Sequence, residues 1–209
     1  MTAPSAPGCL GALEGIDGCG KSTQARRLAE RCGALLTREP GASELGRRLR
    51  ALLLEQDTVA VGDRSEALLM AADRAQHVVE VLRPTLASGR WVVSDRYSAS
   101  TLAYQGYGRG LDVDALHRLV HFATDGLQAH CTVLIDVPFE LSLARRHHAP
   151  DRLEGLGEDF LRRVHRGYRE LAAGDRTWVV VDGSGSEDEV AAQVTREVTA
   201  VLGPLPPAP

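Results

Sequence analysis

An α/β fold built on a parallel sheet is predicted by three features of the 209-residue sequence. Five short apolar runs recur without polar alternation, longer stretches of helical period separate them, and a glycine-rich turn joins the first run to the first helix. Strands covered on both faces by helices read as continuous apolar runs, and parallel strands need helical crossovers between them.

The first run, residues 9–13, passes through the glycines into a helix predicted over 21–31. The second strand is expected at 34–37, followed by a helix at 45–54. Asp63 and Glu66, three positions apart, read as a capping pair ahead of "ALLMAADRAQHVVEVL", with Pro84 and Gly89 marking that helix's exit. The third strand is predicted at 91–94, a helix at 113–123, the fourth strand at 132–135 and a helix at 140–147. A helix at 158–173, a fifth strand at 178–181 and a last helix at 187–202 complete the order. No internal repeat and no linker interrupts it, so a single domain over 1–209 is expected, with 1–8 and 203–209 as loose tails.

Composition narrows the function. A formal charge of −4 argues against a general nucleic-acid or membrane surface, though not against a local basic pocket. Cys9, Cys19, Cys32 and Cys131 show neither C-x-x-C nor metal-ligand spacing, the N-terminus lacks a basic start followed by an apolar core, and no apolar stretch reaches the roughly 20 residues of a membrane-spanning helix. A reduced, cytoplasmic protein is expected.

Gly15, Gly20, Lys21 and Ser22 fit G-x-x-x-x-G-K-[ST] between a predicted strand and a predicted helix. Glycines let backbone N–H groups turn inward, and a helix start adds unsatisfied N–H groups and the positive end of its dipole. Gly15, Ile16, Asp17, Gly18, Cys19, Gly20, Lys21, Ser22 and Thr23 are therefore expected to cradle a polyphosphate, with Lys21 on the β and γ oxygens and the Ser22 hydroxyl on Mg²⁺. A plain glycine-rich turn before an amphipathic helix would not need the lysine and hydroxyls at these offsets. Asp95, closing the run "WVVSD", is the candidate second carboxylate for the metal; taken alone it would read as a helix cap.

The acceptor is addressed by "TREPG" from Thr37, "MAADRAQH" from Met70 and "DRYSASTLAYQGYGRGLD" from Asp95. With "EGIDGCGKST" and the later "DRLE", these stretches resemble the bacterial thymidylate kinases over about residues 11–173. The resemblance implies a P-loop nucleoside monophosphate kinase fold, a five-stranded parallel sheet flanked by helices, and a homodimer. It implies transfer of the γ-phosphoryl of ATP to dTMP, giving dTDP.

Carried onto this sequence, the resemblance puts Arg74 and Arg96 at the acceptor phosphate, Met70 on the base and Thr101 at the pyrimidine edge. It sets Tyr104 under the sugar, where a 2′-hydroxyl would project, with Gln105 nearby and Arg38 and Arg50 as weaker candidates for the same pocket. Asp17 would meet the 3′-hydroxyl or help position the metal. A lid at about 145–157 would carry the catalytic arginines, Arg152 first and then Arg146, because Gly18 stands where another branch has a loop arginine. His147 and His148 lack partners at ligand spacing, so no metal is expected on them.

Three departures stand out. Met70 replaces the usual phenylalanine and gives up aromatic contact with the base. Cys19 replaces alanine; a helix start and Lys21 should lower its thiol pKa and make it oxidation-sensitive, against the plainer reading of a buried alanine substitute. Gly41, Ala42 and Ser43 replace "GGT". The rival functions are a kinase for another pyrimidine nucleotide or deoxynucleoside and a non-catalytic nucleotide switch. Two acceptor arginines and a basic lid have no evident use in the latter.

Overall fold

A computed structural model describes residues 8–55, 60–146 and 149–207, so the tail residues 1–7, 208 and 209, and His147 and His148, lie outside the described residues. Five parallel strands form one sheet in the order β2-β3-β1-β4-β5. They are β1 (Leu10–Glu14), β2 (Leu35–Arg38), β3 (Val92–Asp95), β4 (Cys131–Asp136) and β5 (Trp178–Asp182).

All five expected strands are present, every boundary within one residue of the expected one. β1 is buried along its whole length. Its Leu13 joins Ile16, Val93 and Val133 in one apolar cluster, and its Leu10 and Ala12 join Val78, Leu82 and Val92 in another. Each such leucine, removed from water, stabilises the fold by about 1.5–3 kcal/mol.

Every strand ends on a charged residue: Glu14, Arg38, Asp95, Asp136 and Asp182. The register sets Asp95 level with Leu13 and with Arg38. Parallel pairing thus gathers these groups at the carboxyl edge, where open α/β sheets bind ligands.

The helices α1 (Lys21–Cys32), α2 (Glu44–Leu54) and α3 (Asp63–His77) precede the third strand. Asp63 and Glu66 do not form the expected cap. Gly62 is the N-cap of α3 without a side-chain bond, and Glu66 is fully buried. Nor does Pro84 end the helix. A π-turn over Val78–Leu82 leads into α4 (Arg83–Ala87), which holds Pro84 in its first turn and leaves at Gly89. A prolyl ring clashes with the carbonyl four residues back in a regular helix, and a widened turn ahead of it relieves that contact.

The hydroxyl-rich stretch after Asp95 is helical, as α5 (Ser98–Thr101) continuing into a buried π-turn over Leu102–Gly108. There follow α6 (Val113–Thr124), α7 (Phe139–Ala144), α8 (Glu158–Ala173) and α9 (Glu187–Leu202). The π-turn packs on α8, and Gly108 permits the approach: a Cβ there would lie 2.6 Å from the Phe160 ring. α7 stops at Ala144, short of the predicted 147, with Arg145 as its C-cap. The box of Ser186 and Glu189 fixes the start of α9.

Candidate active site

The phosphate loop leaves β1 at Glu14 and enters α1 at Lys21. α1 has no side-chain cap and no acid in its first turn, so its first N–H groups are kept for an anion. Residues Asp17 to Gln24 line a cleft of about 640 Å³ with Arg145 and the loop around Gly183 and Ser186. That loop carried no signal in the sequence beyond its small residues. Gly18 has φ of 84°, and a Cβ there would fall 2.1 Å from the Ser142 carbonyl oxygen. An arginine at this position is thus excluded by the backbone.

Asp17 is the hinge of the site. Its Oδ1 accepts from Lys21 Nζ at 2.8 Å and from Arg96 Nη2 at 2.6 Å, and its Oδ2 accepts from the Tyr104 hydroxyl at 2.8 Å. Burial pushes the Asp17 pKa up, but Arg96 and Lys21 outweigh it and hold the carboxyl well below its usual value. Arg96 also donates through Nη1 to the Gly15 carbonyl at 3.1 Å and the Tyr168 hydroxyl at 2.9 Å. It adopts φ of 71°, a left-handed conformation costly for arginine. The neighbours impose it: Arg96 N donates to Leu13 O at 2.9 Å, and Ser94 Oγ donates to Arg96 O at 2.6 Å.

Beneath this knot lies Glu14, fully buried and unforeseen from the sequence. It accepts from Tyr97 N at 2.8 Å, Ser100 Oγ at 2.7 Å and the Tyr168 hydroxyl at 3.0 Å.

A second cavity, of about 100 Å³, opens on the other side of Asp17. Met70, Arg74, Arg96, Thr101, Tyr104 and Gln105 all line it, as does Arg50, while Arg38 does not. Arg38 is exposed at the end of β2 and lines an outer cleft with Ser22 and Asp95, so of these two weaker candidates only Arg50 reaches the expected pocket. Arg74 donates from Nε to Glu39 Oε2 at 2.8 Å, from Nη1 to Thr101 Oγ1 at 2.8 Å and from Nη2 to the Tyr97 carbonyl at 2.9 Å. Glu39 also meets His77 Nδ1 at 2.8 Å.

Asp73 is a further cavity residue that the sequence reasoning missed. Burial, and then the charge of Glu39, raise its pKa to about 6, and its Oδ1 accepts from Gly41 N at 2.9 Å. A lone acid among the small apolar residues of "MAADRAQH" was the available signal.

The two candidate lid arginines part company. Arg146 reaches the phosphate loop, its Nε donating to Asp17 O at 3.2 Å, while its buried Nη2 has no partner among the described residues. Arg152 is not brought there. It donates from Nε to Leu53 O at 2.6 Å and from Nη2 to Glu66 Oε2 at 2.7 Å, because the chain places it at the end of α2. Arg145 donates to Gly183 O at 2.7 Å. Gln105 lines the acceptor cavity, but its amide nitrogen goes to Glu66 Oε1 at 2.9 Å.

For Mg²⁺ the residues present fit. Ser22 and Asp95 share one cleft, and Asp95 Oδ1 is buried without a partner among the described residues. No group of three or more His, Cys, Asp or Glu residues suited to a metal occurs among the described residues, so phosphate oxygens would complete the shell.

Cys19 corrects the expectation of a lowered pKa. The side chain is 2% exposed, and burial pushes the thiol up despite Lys21. Thiol labelling of the folded protein is expected to leave Cys19 unmodified at the same slow rate with and without ATP, while the half-buried Cys9 reacts first. Rapid labelling of Cys19 that ATP suppresses would contradict this.

Comparison with known proteins follows the same lines. A family model described as thymidylate kinase matches residues 13–194. The chain is 46% identical over 209 residues to the thymidylate kinase of Prochlorococcus marinus (strain MIT 9313), covering 92% of this chain and 94% of that one. It is 50% identical over 186 residues to that of Synechococcus sp. (strain CC9902), covering 83% and 88%. The crystal structure of thymidylate kinase from Ehrlichia chaffeensis superposes with a TM-score of 0.78 at 28% identity, covering 92% of this chain and all of that one.

Proposed function

This chain belongs to the thymidylate kinase family and transfers the γ-phosphoryl group of ATP to dTMP, giving dTDP and ADP, and on that premise we propose how its residues divide the work. Nothing favours another pyrimidine acceptor or a non-catalytic switch. The observation that carries the division is Asp17, which lines both cavities and binds Lys21 and Arg96 through one carboxylate oxygen. The larger cleft takes ATP, and the smaller one takes dTMP.

Residues 15–23 hold the ATP phosphates through backbone N–H groups, and Lys21 exchanges Asp17 for the β and γ oxygens. Ser22 and Asp95 would hold Mg²⁺, which supplies charge neutralisation on the phosphate oxygens when bound. Arg74 and Arg96 hold the acceptor phosphate, since a planar guanidinium grips two oxygens at once. Asp17 meets the 3′-hydroxyl, Met70 lies on the thymine, and Thr101 and Gln105 face its polar edge. Tyr104, held by Asp17 and Arg96, excludes a 2′-hydroxyl. Arg146 meets the charge that develops on the transferred group. The protein makes no covalent bond to the substrate; positioning and electrostatics supply the catalysis.

A homodimer in the cytoplasm completes the reading. Leu68, Val79 and Phe122, 59%, 65% and 85% exposed, are apolar groups on α3, its π-turn and α6 that a second copy would cover. The four cysteines are unpaired, which suits a reducing compartment. No helix among the described residues is long and apolar enough to cross a membrane.

The test is ADP release measured over a panel of monophosphates. dTMP is expected to give the highest kcat/KM, with ribonucleotides lower by at least about 100-fold, as a buried steric and polar mismatch requires. ATP binding without ADP release for any acceptor would overturn the reading.

A further inference from the structure

Glu66 is a buried carboxylate that the phosphoryl transfer does not use. It is fully shielded from water, and four donors converge on it. Oε1 accepts from Gln105 Nε2 at 2.9 Å and Arg109 Nε at 3.2 Å; Oε2 accepts from Arg109 Nη2 at 2.6 Å and Arg152 Nη2 at 2.7 Å. Burial alone would raise its pKa, and the hydrogen bonds from Arg109, Gln105 and Arg152 bring it below the ordinary value, so it is charged and satisfied.

Arg152 makes two more bonds, to the carbonyls that end α2: Nε to Leu53 O at 2.6 Å and its own N–H to Leu54 O at 3.0 Å. Its neighbours on either side, Asp151 and Leu153, line the acceptor cavity, whereas Arg152 lines neither cavity. Asp151 Oδ1 accepts from the N–H groups of Leu153 and Glu154, both at 2.9 Å, which braces the turn internally. Leu153 is 5% exposed and belongs to the main core cluster.

We propose that Arg152 is a clasp: seated on Glu66, it holds residues 151–156 shut over the acceptor cavity, so the pair sets how tightly dTMP is retained rather than how fast its phosphate is attacked. The inference rests on the dTMP kinase function given above. When the clasp opens, Leu153 and Asp151 leave the cavity wall, and apparent affinity falls in proportion to the closed fraction. A charge-assisted bond to a carboxylate withheld from water is roughly twice as strong as a neutral one, enough to move that fraction by an order of magnitude. Arg152 is a positioning residue in this scheme.

Steady-state kinetics of Arg152→Ala decide it. The KM for dTMP is expected to rise about tenfold or more, with kcat falling less than about fivefold and the KM for ATP within about twofold of wild type. Arg152→Lys should recover part of the loss, because an ammonium reaches Glu66 but cannot hold the Leu53 carbonyl with a second donor. Glu66→Gln should show the same split, and the double variant should be little worse than either single one.

A kcat loss of about 10³ with the dTMP KM unmoved would put Arg152 on the transferred phosphoryl group and overturn the clasp. So would a variant with both constants unmoved. If Glu66→Gln fails to fold, Arg152→Ala still decides. Wild-type protein without dTMP-dependent ADP release would instead refute the function itself; turnover in wild type with an unshifted KM in Arg152→Ala refutes only the clasp.

Discussion

Replacing Arg146 by alanine is expected to lower kcat for dTMP phosphorylation by about 10³ to 10⁵-fold while the KM values for dTMP and ATP stay within about threefold. Three observations make this the largest kinetic effect among the lid residues. The Arg146 guanidinium is already anchored at the phosphate loop, Nε to Asp17 O at 3.2 Å. Its Nη2 is buried with no partner among the described residues, an arrangement that costs about 1–3 kcal/mol unless an acceptor arrives. And the phosphate loop cannot provide the charge itself, since any side chain at Gly18 would collide with the Ser142 carbonyl.

A solvated surface arginine would be worth almost nothing by comparison. Arg145 does not compete for the role, because its guanidinium is spent on Gly183 O and Ser184 O beside the ATP cleft. The measurement is single-turnover and steady-state kinetics with binding of both substrates followed by calorimetry. Arg146→Lys should recover part of kcat. A loss below about tenfold in Arg146→Ala would remove Arg146 from the reaction.

The contrast with Arg152 shows where the sequence stops informing. Both arginines sit in one basic stretch, and nothing local separates them. The partners that do, Leu53 and Glu66, lie far back along the chain, at separations of 99 and 86 residues. Glu66 itself had an adequate local explanation as a capping residue, and only the arrival of Arg109 and Arg152 turns it into a buried acceptor.

Arg38 and Arg50 repeat the lesson. Arg38 ends a strand whose register turns it to the outer cleft, while Arg50 comes back from α2 to the Pro40 carbonyl at 3.0 Å. Cys19 fails for a different reason: the nearby charge is legible, but burial is a property of the whole fold and outweighs it. What the chain did disclose is local in origin. The strands show as apolar runs, the helices at 158–173 and 187–202 as periodicity, and the phosphate loop as glycines at fixed spacing before a lysine. The two π-turns have no such signature, since a single widened turn changes no periodicity a short window can register.

Arg74→Ala is expected to damage stability and chemistry together. The side chain is 2% exposed, and its three hydrogen bonds tie β2's end, α3 and α5 into one wall of the acceptor cavity. Alanine leaves Glu39 buried with His77 as its remaining side-chain partner, and breaking a buried ion pair from one side costs about 3–5 kcal/mol. For a chain of this size that corresponds to a drop in Tm of about 6–20 °C. Among folded molecules, dTMP-dependent ADP release should fall by at least about 100-fold, the loss expected when one preorganised donor to a phosphate oxygen is removed. ATP binding should persist, because Arg74 does not line the ATP cleft.

Arg74→Lys separates the two effects. It keeps a cation against Glu39 and so most of the stability, yet it cannot serve Thr101, Tyr97 and a phosphate oxygen at once, so the dTMP KM should rise by about tenfold or more. Calorimetric melting alongside ATP and dTMP titrations gives both answers from one preparation. An alanine variant that melts with wild type and phosphorylates dTMP normally would show that the guanidinium faces neither the phosphate nor the core, and the pairing of two anion sites across Asp17 would fall with it.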